Sequence, residues 1–254
     1  MIKVLVNGAL GRMGCTVVNA VKADSELELV GAVDAYEGEV EGVKVETNLD
    51  AALKKYSPEV MVDFTRPNVV FDNVMTALEN KVSPVVGTTG LSDEAKEKIR
   101  ELAEKNNTPA FIAPNFALGA VLMMLTAQKI AKYMPDVEII ELHHDKKLDA
   151  PSGTAELTAK MIAEVRPSHK QGHPDEVERL SNVRGADYDG IRIHSVRLPG
   201  YVAHQEVIFG GLGQTLTIRH DSTGRDSFMP GVVLACKKVR NLRGLTVGLD
   251  KILD

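Results

Sequence analysis

The feature that most constrains this chain stands at its start. The apolar run at residues 2–6 leads into Asn7-Gly8-Ala9-Leu10-Gly11-Arg12-Met13-Gly14, which opens a helical pattern over 12–23. The glycines have the spacing G-x-x-G-x-x-G, one residue longer in the turn than the commoner G-x-G-x-x-G. Both spacings meet the same physical demand: backbone comes close to a pyrophosphate, and the unpaired N–H groups at a helix N-terminus face its negative charge. Asp34 lies 20 residues past Gly14, at the end of the next apolar run, where a carboxylate accepts hydrogen bonds from adenosine ribose hydroxyls. A glycine trio alone reads equally as a tight turn. The strand–turn–helix context with the acid at this distance selects a nicotinamide-dinucleotide site made by Gly8, Ala9, Leu10, Gly11, Arg12, Met13 and Asp34.

Short β-rich runs at 2–6, 27–33, 60–64, 84–86 and 110–112 alternate with helical patterns at 12–23, 68–80 and 93–105, the last with Ser92 as N-cap. This alternation predicts a parallel sheet with right-handed helical crossovers. Gly87-Thr88-Thr89-Gly90 and Ala113-Pro114-Asn115-Phe116 each follow a predicted strand, which places them at carboxyl ends, where such sheets bind ligands. Gly87, Thr88, Thr89, Pro114, Asn115, Phe116 and Ala117 are therefore candidate walls for the nicotinamide; taken alone, both segments also read as ordinary turns.

After about Tyr133 the character changes. A strand at 137–144 and a helix at 154–165 precede a polar excursion over 166–188, followed by strands at 191–198, 204–209 and 214–220 that look antiparallel and joined by glycine turns. Helical spacing returns at 228–239, so the chain is expected to finish in its first domain. The fold class expected is α/β: an N-terminal Rossmann-like parallel sheet (1–114 and 224–254) with a second α+β domain (115–223).

The 254 residues suffice for a sizeable core, and 44% apolar with 26% charged residues is the balance of a globular protein. A net charge of −5 argues against nucleic acid or an anionic membrane as partner, so an anionic ligand needs a local basic pocket. Cys15 and Cys236 are too few and too far apart for a disulfide framework or a zinc site, so no metal is expected and a reducing cytoplasm fits. The run at 2–6 is too short for a signal segment, and the apolar stretch 118–131 is broken by Thr126, Gln128 and Lys129, so no membrane span is expected.

The densest chemistry lies between Glu141 and Ala155: Glu-Leu-His-His-Asp-Lys-Lys-Leu-Asp-Ala-Pro-Ser-Gly-Thr-Ala. Adjacent histidines on a strand point to opposite faces, so His143 and His144 are not two ligands of one metal and have separate roles. Ser152, Gly153 and Thr154 stand where a helix begins, with Leu157 and Met161 repeating at i and i+4. Such a helix start offers donors to a carboxylate, and Lys147 adds a full positive charge. Singly, Ser152 also reads as an N-cap, the lysines as a solvated run, and one histidine as the partner of Glu141. Together they describe a pocket for a small carboxylate-bearing molecule.

The segment resembles the signature of the bacterial dihydrodipicolinate (4-hydroxy-tetrahydrodipicolinate) reductases, E-x-H-H-x-x-K-x-D-A-P-S-G-T-A, matched from Glu141 to Ala155. The resemblance extends to V-x-G-A-x-G-R-M-G at the start, G-T-T-G at Gly87, N-F at Asn115, Arg219-His220-Asp221-Ser222 and Phe228-Met229-Pro230-Gly231, and so covers essentially the whole chain. It implies reduction of 4-hydroxy-tetrahydrodipicolinate, a cyclic dicarboxylate, to tetrahydrodipicolinate with NADH or NADPH, in the diaminopimelate route to lysine. By motif position it implies His143 as acid/base, Lys147 as proton donor, His144 as a substrate contact, and Gly153 with Thr154 as the loop holding a substrate carboxylate. It also implies a homotetramer assembled through the second domain.

Asp145 and Lys146 occupy places where other members often carry basic residues, and Ala117 stands where serine is common. Ala35 follows Asp34, with no arginine there to meet a 2′-phosphate, so NADH is expected to serve at least as well as NADPH, which Arg12 and nearby lysines could still admit. Two rivals remain open: another two-domain dehydrogenase of a small acid, which would not need His-His-x-x-Lys before Pro-Ser-Gly-Thr, and a cofactor sensor without turnover, which would not need the acid beside a carboxylate pocket.

Overall fold

The computed structural model describes residues 1–253, which form two compact units: Met1–Leu118 with the chain from Arg225 onward, and Gly119–Gly224. In chain order the elements are β1 (Ile2–Asn7), α1 (Arg12–Ala23), β2 (Leu27–Val33), β3 (Gly38–Val40), β4 (Val43–Glu46), α2 (Leu49–Tyr56), β5 (Val60–Asp63) and α3 (Val70–Glu79). Then come β6 (Ser83–Val86), α4 (Asp93–Lys105), β7 (Ala110–Ile112), α5 (Leu118–Ala131), β8 (Asp136–His143), α6 (Gly153–Ala163) and β9 (Ala186–Tyr188). The chain closes with β10 (Ile191–Arg197), β11 (Ala203–Gly211), β12 (Gln214–Ser222), α7 (Met229–Lys238) and β13 (Leu245–Val247). No described helix is long and apolar enough to cross a membrane.

The first unit is built on an eight-stranded sheet in the order β13-β7-β6-β5-β1-β2-β4-β3, parallel throughout except for the β3–β4 pair. All five strands read from the sequence are in it. The β3–β4 hairpin was not foreseen: its strands have three and four residues, and its turn is Glu41-Gly42, with φ of 51° and 78°. Two left-handed residues in succession match the twist of a two-residue hairpin, but Glu in the first place hides the signal that Asn or Asp would show. Helix α1 buries Gly14, Val17, Val18 and Val21, the i, i+3, i+4, i+7 stripe that a helix lays on a sheet. Helix α4 starts at Ser92, whose hydroxyl accepts the Ala95 N–H at 3.1 Å.

The strand order reverses between β1 and β5: from β1 the chain steps outward through β2 to β4, then returns to the other side of β1. Neither strand's crossover helix covers the crevice at such a point, so it stays open at the carboxyl ends. Here those ends are Asn7–Gly8 and Asp63–Phe64.

The second unit carries a five-stranded sheet in the order β12-β11-β8-β10-β9. The expectation of consecutive antiparallel strands needs correcting. Strand β10 does not pair with β11; it lies parallel to β8, reached by a crossover through α6, and β8 then separates β10 from β11. Only β11–β12 and β9–β10 are hairpins. Alternation within a strand reports which face is buried, not which strand is its neighbour, and the polar excursion hid the crossover.

One face of this sheet changes character along the strands. Two rungs, Ile191–Val137–Phe209 and Ile193–Ile139–Val207, are apolar and buried under Met123, Ala127 and Ala131 of α5 and Ala155, Ala159 and Ile162 of α6. The following rungs are polar: Ser195–Glu141–Gln205–His220, then Arg197–His143–Ala203–Ser222. The stripe by which α6 packs is Ala155, Thr158, Ala159 and Ile162, while Leu157 is exposed. The Leu157–Met161 spacing therefore marked the helix but not its buried face. The excursion over 166–188 is largely exposed, as expected, but anchored at both ends: buried Arg166 donates to the carbonyls of Pro135 and Asp189 at 2.6 Å each, and the Gln171 amide pairs with both backbone groups of Val137 at 3.0 Å.

Candidate functional site

The glycine loop of the first unit is packed to its limit. Gly8 has φ of +82°, and a Cβ there would lie 2.5 Å from the Phe64 carbonyl oxygen; one at Gly14 would lie 1.9 Å from the Gly8 carbonyl oxygen and 2.8 Å from the Ala9 Cα. Only glycine lets the turn fold back on the helix this closely. The loop spends several of its own donors internally: Gly8 and Ala9 N–H go to the Val33 carbonyl at 2.9 and 3.0 Å, and Gly11 N–H goes to the Gly8 carbonyl at 3.1 Å. What remains facing outward is the start of the first turn of α1, at Arg12 and Met13. Those N–H groups precede the first intrahelical bond, from Cys15 to Gly11, and neither a side-chain cap nor a first-turn acid competes for them. A bare helix start behind a close-packed glycine turn fits a pyrophosphate.

Asp34, one residue past β2, accepts the Leu10 N–H on one oxygen at 2.9 Å and the Ala35 N–H on the other at 2.7 Å. Both oxygens keep a lone pair for a ribose hydroxyl. Leu10 thus holds the acid in place through its own N–H. The other two loops are in the same unit. Phe116 is buried, packing against Phe64 and Phe111 with ring centroids 5.9 and 6.1 Å away, and Asn115 Oδ1 accepts the Ala117 N–H at 2.8 Å. Pro114, Thr89 and Gly90 are exposed. Thr88 is buried, and its hydroxyl donates to Asp63 Oδ1 at 2.7 Å while accepting the Thr65 N–H at 2.8 Å. That side chain is occupied within the protein.

Asp63 itself was missed in the sequence reading. It is fully buried at the end of β5, and its carboxylate accepts from Asn7 Nδ2 (2.9 Å), Asn73 Nδ2 (3.0 Å), the Thr65 N–H (3.1 Å) and hydroxyl (2.8 Å), and the Thr88 hydroxyl. Five neutral donors do the work of a counter-ion. They tie the end of β1, the β5 loop and the Gly87 loop together at the crevice. An acid closing the otherwise apolar strand Val60-Met61-Val62 was the available signal.

In the second unit the Glu141–Ala155 segment leaves β8 and enters α6. Glu141 is wholly buried, and its two oxygens receive His143 Nδ1 at 2.5 Å, Arg197 Nη1 and Nη2 at 2.8 and 2.7 Å, and the Ser152 N–H at 3.3 Å. Burial pushes the carboxyl up, but hydrogen bonds from His143, Arg197 and Ser195 outweigh it and hold the group at about 2. An ionised carboxylate only accepts, so the proton between them sits on His143 Nδ1 and Nε2 is the ring's remaining functional atom. His143 is half-buried; His144, just past the strand, is exposed and receives the Lys147 N–H on its carbonyl at 3.2 Å.

Lys147 Nζ is held by both oxygens of Asp149 at 2.7 and 2.8 Å, and this ammonium keeps the Asp149 carboxyl below its usual range. Ser152 is buried and caps α6: its hydroxyl accepts the Ala155 N–H at 3.2 Å. It builds the helix start. Gly153 is exposed, and a Cβ on it would meet nothing within 4 Å, so nothing within the chain demands glycine there. The open space lies beside the first-turn donors of Gly153 and Thr154. Arg197, also unflagged in the sequence, completes the cluster: besides gripping Glu141, its Nη2 donates to the Asp149 carbonyl at 2.7 Å. Among the described residues no group of three or more His, Cys, Asp or Glu is arranged to hold a metal ion.

A Rossmann-type sheet with a dinucleotide-fitting glycine loop, together with a separate unit in which an imidazole, a guanidinium and a helix start surround one buried carboxylate and an ammonium joins through Asp149, defines an oxidoreductase that works with an NAD(P)-type cofactor. The chain belongs to the dihydrodipicolinate reductase family: residues 2–116 match the family's N-terminus and residues 119–253 its C-terminus. It is 53% identical to the 4-hydroxy-tetrahydrodipicolinate reductase of Bacillus pumilus, over 100% of this chain and 98% of that one, and 56% identical to that of Listeria welshimeri, over 99% and 100%. It superposes with a TM-score of 0.93, at 50% identity and with both chains fully covered, on a dipicolinate-bound dihydrodipicolinate reductase from Paenisporosarcina sp. TG-14.

Proposed function

We propose that this protein reduces 4-hydroxy-tetrahydrodipicolinate to tetrahydrodipicolinate at the expense of NADH or NADPH, in the diaminopimelate route to lysine. The observation that carries the reading is the Glu141–His143–Lys147 cluster beside the open start of α6, which offers an acid, a cation and backbone donors to one small dicarboxylate. Overall, a carbon-bound hydroxyl is replaced by hydrogen: one hydride and one proton enter and water leaves. The dinucleotide, when bound, supplies the hydride.

The chain's own residues do the rest. The glycine turn from Gly8 to Gly11 with the Arg12 and Met13 N–H groups holds the pyrophosphate, Asp34 the ribose, and the Gly87–Thr89 and Pro114–Ala117 loops bound the nicotinamide end. In the second unit the N–H groups of Gly153 and Thr154 receive one substrate carboxylate, and His144 adds a contact. Lys147 exchanges Asp149 for the substrate and, with His143 Nε2, supplies the proton that neutralises charge developing as a conjugated imine is reduced. Ser152 acts by shaping the helix start. The unit Met1–Leu118 with the chain from Arg225 onward is then the dinucleotide-binding domain, and Gly119–Gly224 the substrate and oligomerisation domain.

Because Ala35, not a cation, follows Asp34, and the Asp34 carboxylate would face a 2′-phosphate, kcat/KM for NADH is expected to equal or exceed that for NADPH. Initial rates with each dinucleotide measure this; a strong preference for NADPH contradicts the role given to Asp34. The assembly proposed is a homotetramer through the second unit, where Ile140, Leu142 and Ile208 stand half-exposed on the sheet face that α5 and α6 do not cover. Sedimentation equilibrium should give the mass of four chains, and a monomer at micromolar concentration would refute it.

A further inference from the structure

We infer that Glu141 is the positioning residue of the proposed substrate pocket: one buried carboxylate fixes the tautomer of His143 and holds the Lys147 loop and the start of α6 in a single frame. This rests on the reading of His143 and Lys147 as proton carriers given above.

A buried Glu–Arg pair could be structural only, and the two oxygens of Glu141 show why this one is more. One oxygen takes His143 Nδ1 and Arg197 Nη1; the other takes Arg197 Nη2 and the Ser152 N–H. A carboxylate serving Arg197 alone would leave two acceptor sites for anything nearby. Here they are taken by the imidazole and by the residue that caps α6 through its hydroxyl, with the Ser195 side chain of the neighbouring strand as a further donor. Arg197 extends the frame, since the same Nη2 donates to the Asp149 carbonyl, and the Asp149 carboxylate holds Lys147 Nζ. His143, Glu141, Arg197, Asp149 and Lys147 therefore form one continuous chain of hydrogen bonds.

The placement has no packing rationale. The apolar core of this unit ends one rung earlier, at Ile193–Ile139–Val207, and Glu141 lies beyond it between Ser195 and Gln205. Burying a carboxylate there is costly unless every lone pair is used, which gives the network a single arrangement. The chemical consequence falls on His143. With Nδ1–H donated to the Glu141 carboxylate, Nε2 is the ring nitrogen left to face a substrate. The groups facing the pair are Arg197 from β10, neutral Gln205 from β11 with His220 one strand further, the positive end of α6, and the Lys147–Asp149 pair.

The test is Glu141→Gln, which keeps the shape but removes the anion, read first by imidazole 15N NMR of His143 in the ligand-free protein. Wild type should show the Nδ1–H tautomer alone; the variant should show a mixture with Nε2–H. Its kcat should fall by about 10²–10⁴-fold, the scale of a misplaced tautomer in the best-studied carboxylate–histidine pair, with dinucleotide affinity unchanged and activity partly recovered in Glu141→Asp. If Glu141→Gln leaves Arg197 unpaired and the chain does not fold, Glu141→Gln with Arg197→Met removes both charges and takes the same readouts. An unchanged tautomer overturns this inference and leaves the proposed reaction standing. A mixed tautomer with wild-type turnover overturns this inference and the role given to His143, while the turnover itself upholds the reaction.

Discussion

Lys147→Ala is expected to lower kcat by about 10²–10⁴-fold, the usual worth of a positioned proton donor, and to leave NADH affinity unchanged. Lys147 Nζ is held by the Asp149 carboxylate, which is exposed enough to be exchanged for a ligand carboxylate. Its removal deletes a charge that is felt most as negative charge develops, so the loss should fall on kcat. The residues proposed to bind the dinucleotide lie in the other unit, so affinity measured by fluorescence titration should not follow. His143→Ala should behave alike, and the double variant should lose much less than the product of the two, because both belong to one network. Wild-type turnover in either single variant would remove these residues from the chemistry.

The second large effect is expected at the glycine turn. In Gly14→Ala the added methyl would stand 1.9 Å from the Gly8 carbonyl oxygen and 2.8 Å from the Ala9 Cα. These are backbone atoms, which have no rotamer to move aside, so the loop must shift away from α1. Overpacking of this kind costs about 1–3 kcal/mol, and the shift pulls the turn off the start of α1 that the pyrophosphate requires. NADH binding should therefore fall by more than tenfold, which is about 1.4 kcal/mol. NADH affinity equal to wild type in Gly14→Ala would mean that the close approach at this turn is not needed by the cofactor.

How far these sites were legible depended on whether a residue's role is local. Gly8, Gly11 and Gly14 report a steric demand met within a few residues of chain, and Asp34 lies one crossover away, so the spacing alone revealed the loop and its acid. The stretch from Glu141 to Ala155 is likewise contiguous, and its helix start was readable from Ser152. Asp63 and Arg197 were not legible because their partners are far along the chain: Asp63 meets Asn7, and Arg197 meets Glu141, each 56 residues apart, through parallel pairing that no periodicity encodes. The same limit produced the error about β10, whose alternation showed its buried face but not that β8 lies beside it. Thr88 and Ser152 carried a subtler ambiguity. Their hydroxyls suit a ligand or the protein equally, and only the structure shows the first spent on Asp63 and the second on capping α6.

The most direct measurement of the central claim is the oxidation of NADH, followed by absorbance, when the purified protein meets freshly formed condensation product of pyruvate and aspartate semialdehyde. The account predicts stoichiometric loss of reduced cofactor with formation of tetrahydrodipicolinate, abolished when the condensation is omitted. A protein that binds NADH but oxidises none of it under these conditions would contradict the account and leave a cofactor-binding protein without this reaction.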